Sequence, residues 1–127
     1  MSAALRRIVR ERAGDRCEYC RLPQAGSVLS FHIEHIVPRQ HGGATSEGNL
    51  ALACPHCNLR KGPNLTGIDP ESGEVCRLFH PRHDLWREHF RSEGARIAGI
   101  TAMGRTTEGV LDFNDDEQLR LRSADSR

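Results

Sequence analysis

Two Cys-x-x-Cys pairs constrain this chain more than any other feature. The first pair is Cys17 and Cys20, and the second is Cys54 and Cys57. One such pair is weak evidence, but two pairs in one small chain supply the ligands of a tetrahedral zinc site. Zinc bound by all four thiolates would close the intervening chain into a loop and fix its polar residues relative to one another. We therefore expect a structural zinc site, with any chemistry lying between the pairs.

The bulk composition indicates one modest domain. The chain has 127 residues and only 5% aromatic residues, so its core is expected to be small and to benefit from a metal staple. A net charge of +1 gives no global signal for nucleic acid, so any such binding must come from local clusters. The N-terminal segment supplies one cluster of arginines: Arg6, Arg7, Arg10, Arg12 and Arg16.

The sequence contains no apolar run long enough to span a bilayer, and no apolar stretch follows the N-terminal arginines as in a secretory signal. We therefore expect a cytoplasmic protein with no membrane partner. A reducing compartment favours metal thiolates over disulfides. The fifth cysteine, Cys76, lies in an apolar segment and is expected to be a small buried residue.

Residue patterns predict a chain of α+β class. The predicted elements of the first half are a helix over 3–13, a β-rich segment over 28–37, a loop over 38–49, a short strand over 50–53 and a helix beginning at 58–61. The second half predicts a turn over 67–73, strands over 74–79 and 97–101, and helices over 85–92, 102–112 and 115–121, capped by Asp84, Thr101 and Asn114. The tail from Arg120 is expected to be frayed.

The dipeptide Glu34-His35 is the first candidate for chemistry. A carboxylate suits a hard divalent cation such as Mg²⁺, and an adjacent imidazole titrates near neutral pH and can take a proton from water. A solvated Glu and His at a strand end is the simpler interpretation of this pair alone. Strand alternation would place His32 with Glu34 on one face and His35 on the other, which leaves His32 open as a second ligand.

Further candidates lie near the second cysteine pair. Asn58 directly follows Cys57, and its amide oxygen would suit the same cation; the alternative is a helix-start residue bonded to the backbone. Asn49 would hold the His35 imidazole in one orientation, or serve only as a turn residue. Arg60 and Lys61 would contact phosphates, or form an ordinary solvated helix face.

Taken together, these residues resemble the HNH endonuclease family. The resemblance runs through Cys17-x-x-Cys20, Ile33-Glu34-His35-Ile36-Val37-Pro38, Gly42-Gly43, and Asn49-Leu50-Ala51-Leu52-Ala53-Cys54-x-x-Cys57-Asn58-x-x-Lys61-Gly62. It implies a ββα-metal (His-Me finger) fold around one catalytic divalent cation, with a structural zinc on the four cysteines. The expected organisation is a single HNH domain over 1–127: an N-terminal helix, a zinc-stapled catalytic core over 15–65 and a C-terminal α/β extension over 66–127.

Carried over to this sequence, the resemblance implies that His35 is the general base and that Asn49 orients it. Glu34 stands where members usually have Asp, and with Asn58 it would hold the catalytic cation. An Asn instead of a His at position 58 removes a nitrogen ligand and favours Mg²⁺ or Mn²⁺. The extra methylene of Glu34 requires a small shift of the metal or the strand.

The expected activity is therefore a one-metal hydrolysis of DNA phosphodiester bonds, with no small-molecule cofactor. The first alternative is a non-catalytic, zinc-stapled nucleic-acid-binding module, which accounts for the cysteines and arginines but leaves Glu34-His35 and Asn58 unexplained. A zinc fold that mediates protein contacts is the second. The sequence does not indicate the oligomeric state or the DNA that is cut.

Overall fold

The computed structural model describes residues 1–125 as helices combined with small antiparallel strand pairs, which confirms the α+β class. The elements in chain order are α1 (Ala3–Ala13), β1 (His32–His35), β2 (Leu50–Ala53), α2 (Pro55–Lys61), β3 (Thr66–Ile68), β4 (Val75–Arg77), α3 (Trp86–His89), β5 (Phe90–Glu93), β6 (Arg96–Gly99), α4 (Ala102–Leu111) and α5 (Asp116–Asp125). The strands form three pairs, β1–β2, β3–β4 and β5–β6, within the described residues.

Helix α1 has the predicted bounds because both of its ends carry local signals. The Ser2 hydroxyl accepts a hydrogen bond from the Leu5 amide at 3.1 Å, and Gly14 ends the helix with a φ of 64°. Val9 is fully buried. The Arg12 guanidinium donates to the Leu50 carbonyl at 2.7 Å and so fastens the helix to the start of β2.

The strand pair β1–β2 forms the centre of the cysteine-rich segment. It is antiparallel, with His32 opposite Ala53 and His35 opposite Leu50. β1 is shorter than the predicted 28–37 because the Gln24 side chain binds the backbone on both sides of residue 30. Its amide donates to the Leu29 carbonyl and its carbonyl accepts from the Phe31 amide, which holds a bend there.

The prediction for 74–92 was partly wrong. The strand at 74–79 is shorter, and it pairs as β4 with the unpredicted β3. The helix at 85–92 ends at His89, because Phe90 begins β5. Asp84 does not cap that helix; both of its carboxylate oxygens accept from Arg77, at 2.8 and 2.9 Å. Cys76 is half-buried in β4 rather than buried, since this pair lies at the surface.

The two C-terminal helices begin differently. Thr101 caps α4 as predicted, accepting from the Gly104 amide at 3.0 Å. Asn114 does not cap α5: its side chain binds the Ile97 backbone, and Asp115 instead accepts from the Gln118 amide at 2.9 Å.

The expectation of fraying from Arg120 was wrong for the described residues. α5 continues to Asp125. Arg122 is 7% exposed and donates to the Ala95 carbonyl at 2.8 Å, which ties the last turns of the helix to the chain before β6. The remaining two positions of the predicted tail, 126–127, lie outside the described residues.

The chain after residue 65 is fastened to both cysteine pairs. Trp86 donates its indole N–H to the Tyr19 carbonyl at 2.8 Å, and Arg82 forms an ion pair with Glu18. At the second pair, His56 Nε2 lies 2.8 Å from the carbonyl oxygen of Leu111, at the end of α4. None of the helices in the described range has the length and apolar character required to cross a membrane.

Candidate metal centre and catalytic cleft

The four predicted zinc ligands converge in the core. Cys17, Cys20, Cys54 and Cys57 are fully buried, and their Sγ atoms all lie within 4.8 Å of one another. Ligands at tetrahedral angles around zinc, with Zn–S bonds of about 2.3 Å, lie about 3.8 Å apart. The 3.7 Å between the Sγ atoms of Cys20 and Cys54 fits this geometry. The cluster is therefore consistent with a structural zinc site.

The local backbone and charge also suit a metal. In each pair, the amide of the second cysteine donates to the first sulfur, at 3.4 Å, as the turn of a Cys-x-x-Cys knuckle requires. None of the cysteines among residues 1–125 forms a disulfide. Burial raises the pKa of Cys20 and Cys57, whereas hydrogen bonds from neighbouring thiols, first that of Cys17, lower the pKa of Cys54. A divalent cation would favour the thiolate at every position.

A second feature, an open cleft of about 390 Å³, lies beside β1 and α2. Its lining includes Glu34 and His35 from β1 and Asn58 from α2. All four residues of β1 line this cleft, so strand alternation does not direct His35 away from Glu34. Three of the four residues to which the resemblance gave catalytic roles therefore border one space, and the fourth, Asn49, does not line it.

The Glu34 carboxylate is held between two buried partners. It is 8% exposed; Oε1 accepts a hydrogen bond from the Tyr19 hydroxyl, and Oε2 lies 3.3 Å from the Lys61 ammonium. Burial raises the pKa of Glu34, while the positive charge of Lys61 and the Tyr19 hydroxyl act in the opposite direction. Tyr19 belongs to the first cysteine knuckle, so the knuckle directly supports the candidate metal ligand.

The His35 imidazole is half-buried at the cleft and has one fixed contact. Its Nε2 lies 2.8 Å from the Thr45 hydroxyl, in the loop between β1 and β2. Desolvation, and then the nearby charge of Arg39, lower the pKa of His35. The neutral imidazole therefore predominates at neutral pH, as a general base requires.

Asn49 holds the loop that carries Thr45. Its side chain accepts from the Val37 amide at 2.9 Å and donates to the carbonyls of Val37 and Ala44 at 3.0 and 2.8 Å. Only glycine fits at position 43 beside these hydrogen bonds, because an added Cβ would lie 1.7 Å from the Val37 oxygen. The contacts of Asn49 are thus to backbone, and the direct contact with His35 comes from Thr45.

The remaining candidates have different surroundings. Asn58 is half-buried, and its side-chain amide has no hydrogen-bond partner within residues 1–125. Lys61 is 2% exposed and donates to the Ile36 carbonyl at 2.8 Å, so the expected phosphate contact does not fit it. Arg60 remains half-exposed, 3.7 Å from Asp112. His32 is exposed at the cleft.

Sequence reasoning missed three residues around the cleft. Neither Tyr19 nor Thr45 is a defined position of a recognisable motif. The fold brings Tyr19 into contact with Glu34, and Thr45 into contact with His35. Arg39 is exposed and lines the cleft, and its side chain makes no hydrogen bond or ion pair within the described part of the chain. Its position directly after Pro38, four residues past His35, was the only signal that could have indicated it.

Residues 17–64 match the family model described as HNH endonuclease. The matched segment contains both cysteine pairs, the strands β1 and β2, helix α2 and the lining of the cleft. No curated protein and no solved structure matches the chain significantly.

Proposed function

We infer, from the HNH domain that residues 17–64 form, that this chain is a metal-dependent endonuclease that hydrolyses phosphodiester bonds of DNA. One observation carries the proposal: Glu34, His35 and Asn58 border a single open cleft inside the matched segment. The set combines a proton acceptor with two oxygen donors, which hydrolysis of a phosphodiester at a divalent cation requires.

His35 is the proposed general base. When Nε2–H donates to the Thr45 hydroxyl, the lone pair of the neutral ring lies on Nδ1, which then accepts a proton from the attacking water. Thr45 therefore orients the ring, and Asn49 holds the loop that carries Thr45. General-base assistance of this kind contributes about 10² to 10⁴ in rate.

Glu34 and Asn58 are the proposed ligands of Mg²⁺ or Mn²⁺, since both offer oxygen atoms. The bound cation would supply neutralisation of the charge that develops on the phosphate and the leaving oxygen. Lys61 favours the ionised form of the buried Glu34 carboxylate, and Tyr19 orients it. The four cysteines would hold zinc in a structural site, because four thiolates leave no open position for substrate.

Arg39 is the proposed phosphate contact of the cleft, in place of Lys61. Its guanidinium is exposed and free of other partners within residues 1–125, and it is close enough to lower the pKa of His35. A guanidinium can bind two nonbridging phosphate oxygens at once. Arg60 stays a candidate for a second, more peripheral contact with the DNA backbone.

A second candidate function is a zinc-stapled module that binds nucleic acid without cutting it. The contacts of Glu34 favour it: both carboxylate oxygens already have partners, and one partner is a cation that would repel a divalent ion. Binding of Mg²⁺ or Mn²⁺ would require Glu34 to share or exchange these contacts.

Cleavage of supercoiled plasmid in Mg²⁺ or Mn²⁺ tests the proposal. Nicked or linear product that disappears with a chelator and with His35→Ala supports the nuclease. The matched control is His83→Ala, which removes an exposed imidazole remote from the cleft and should leave cleavage unchanged. DNA binding without cleavage in either metal would instead support the binding module.

A further inference from the structure

Helix α5 lies outside the segment that matches the HNH family, yet it reaches the four-cysteine cluster. Gln118, in its first turn, is 2% exposed. Its side-chain nitrogen Nε2 lies 3.4 Å from Cys20 Sγ and 3.8 Å from Cys54 Sγ. The two sulfurs belong to different knuckles, so one amide bridges the two halves of the cluster.

The chemistry of this contact is directional. A thiolate can only accept hydrogen bonds, and a primary amide has two N–H groups, one for each sulfur. A donor beside a metal-bound thiolate withdraws electron density from the sulfur and makes it less basic. Protons and oxidants act on that electron density at the sulfur, and each thiolate that they remove opens a position on the zinc to a competing chelator.

The position of Gln118 is fixed independently of the cluster. The Asp115 carboxylate accepts a hydrogen bond from the Gln118 backbone amide at 2.9 Å, which fixes the start of the helix. Farther along α5, Arg122 donates to the Ala95 carbonyl at 2.8 Å and also to the Phe113 carbonyl. The amide is therefore presented by a helix anchored at both ends.

An apolar recess of about 420 Å³ opens beside this contact, between α5 and the bend before β1. Its lining includes Cys54, Gln118 and Leu121. Of the four cluster cysteines, only Cys54 lines this recess, and Gln118 lines it as well.

We propose that Gln118 is a positioning residue of the zinc site: its amide donates to the thiolates of Cys20 and Cys54 and slows the loss of zinc through the adjacent recess. The inference rests on the proposed zinc site and is independent of nuclease activity. It gives the C-terminal helix a role in metal retention that the matched segment alone does not contain.

Three substitutions test the contact in the full-length, zinc-loaded protein. Gln118→Met keeps the length and volume of the side chain without the donor, and Gln118→Glu places carboxylate oxygens against the thiolates. Asp116→Asn, two residues away, exposed and outside the lining of the recess, is the matched control. The readouts are zinc content by elemental analysis, the rate of zinc transfer to a chromogenic chelator, and the thiolate-to-metal charge-transfer band after substitution with Co²⁺.

We expect zinc affinity to fall about 10- to 100-fold in Gln118→Met, the usual effect of removing a hydrogen-bond partner of a metal ligand. Zinc transfer should be slowest in wild type and Asp116→Asn, faster in Gln118→Met and fastest in Gln118→Glu, with a shifted charge-transfer band in both Gln118 variants. A role in packing alone would leave Gln118→Met equal to wild type, and that result would overturn the inference.

Gln118→Asn keeps the amide but withdraws it by one methylene, and it serves if a more drastic variant does not fold. Gln118→Asn should also release zinc faster than wild type does, and a wild-type rate of zinc transfer would contradict the inference. A wild-type protein that purifies folded and without zinc would overturn the zinc site and this inference together. A zinc-loaded wild type that does not cut DNA would affect only the nuclease proposal.

Discussion

Replacing Lys61 with methionine should expose the energetic cost of burying the Glu34 carboxylate. Methionine is nearly as long as lysine and fills the same space, but it removes the ammonium that lies 3.3 Å from Glu34 Oε2. It also removes the donor to the Ile36 carbonyl. The carboxylate, 8% exposed, would keep only the Tyr19 hydroxyl as a partner.

The distance between the Lys61 ammonium and the Glu34 carboxylate determines how much stability Lys61→Met should lose. Two unit charges 3.3 Å apart attract by about 5 kcal/mol at an effective dielectric constant of about 20. Removing one member of a buried pair costs about 3–5 kcal/mol, because the other charge remains buried without compensation. A domain of this kind has about 5–15 kcal/mol of total stability, so Lys61→Met should lose a large share of it.

Urea unfolding at pH 7, without added Mg²⁺ or Mn²⁺, measures this cost in four proteins: wild type, Lys61→Met, Glu34→Gln and the double variant. If the damage comes from the unpaired carboxylate, the double variant should be more stable than the sum of the single losses predicts. Arg60→Met is the control, because its half-exposed ion pair with Asp112 should contribute less than about 1 kcal/mol.

The pH dependence gives an independent check. Burial already raises the pKa of Glu34 above its ordinary value, and loss of Lys61 should raise that pKa further. A raised acid pKa means that stability is lost as pH rises, so the deficit of Lys61→Met should grow towards neutral pH and narrow in acid, where Glu34 is protonated in both proteins. Strictly additive losses, or a deficit independent of pH, would refute the reasoning.

Four further outcomes follow. Thr45→Val should lower the cleavage rate about 10²-fold or less, with unchanged thermal stability, because only the orientation of His35 is lost; single-turnover kinetics measure it. Gly43→Ala should reduce both cleavage and melting temperature, since its Cβ would clash with the Val37 oxygen; a melting temperature equal to wild type would contradict this close packing. Cys54→Ser should abolish binding of about one zinc per chain and unfold the core, whereas Asn58→Ala should keep fold and zinc but not cleavage; elemental analysis and circular dichroism separate them. Arg105 hydrogen-bonds to Asp69 and holds the pKa of that carboxyl below its ordinary value; Arg105→Met should therefore be destabilised at neutral pH, with a deficit that shrinks below about pH 4 in acid titration of unfolding.

Local signals predicted the first helix and the cysteine site well. The Ser2 and Gly14 caps define α1 within the segment itself, and the spacing of the cysteines determines which sulfurs can meet. The likeness to HNH sequences also selected Glu34, His35 and Asn58, which line one cleft. Their catalytic roles remain proposals.

The sequence could not predict contacts that depend on the tertiary fold. Strands β3 and β5 are short, and their pairing partners define them more than their own residues do. The sequence predicts that Lys61 contacts phosphate or lies on a solvated helix face, yet it is buried because Glu34, on another element, supplies the opposite charge. Asp84 and Asn114 have the composition of helix caps but bind Arg77 and the Ile97 backbone instead.

The fastening of the later chain to both cysteine knuckles has a practical consequence for anyone who wishes to transplant this domain. A fragment trimmed to residues 17–64 would lose Trp86 from the Tyr19 carbonyl and the end of α4 from His56. The fragment would contain every candidate catalytic side chain but would lack the contacts that hold the two cysteine knuckles in place. A fusion that retains residues 1–125 should fold more reliably, even though it more than doubles the length of the insert.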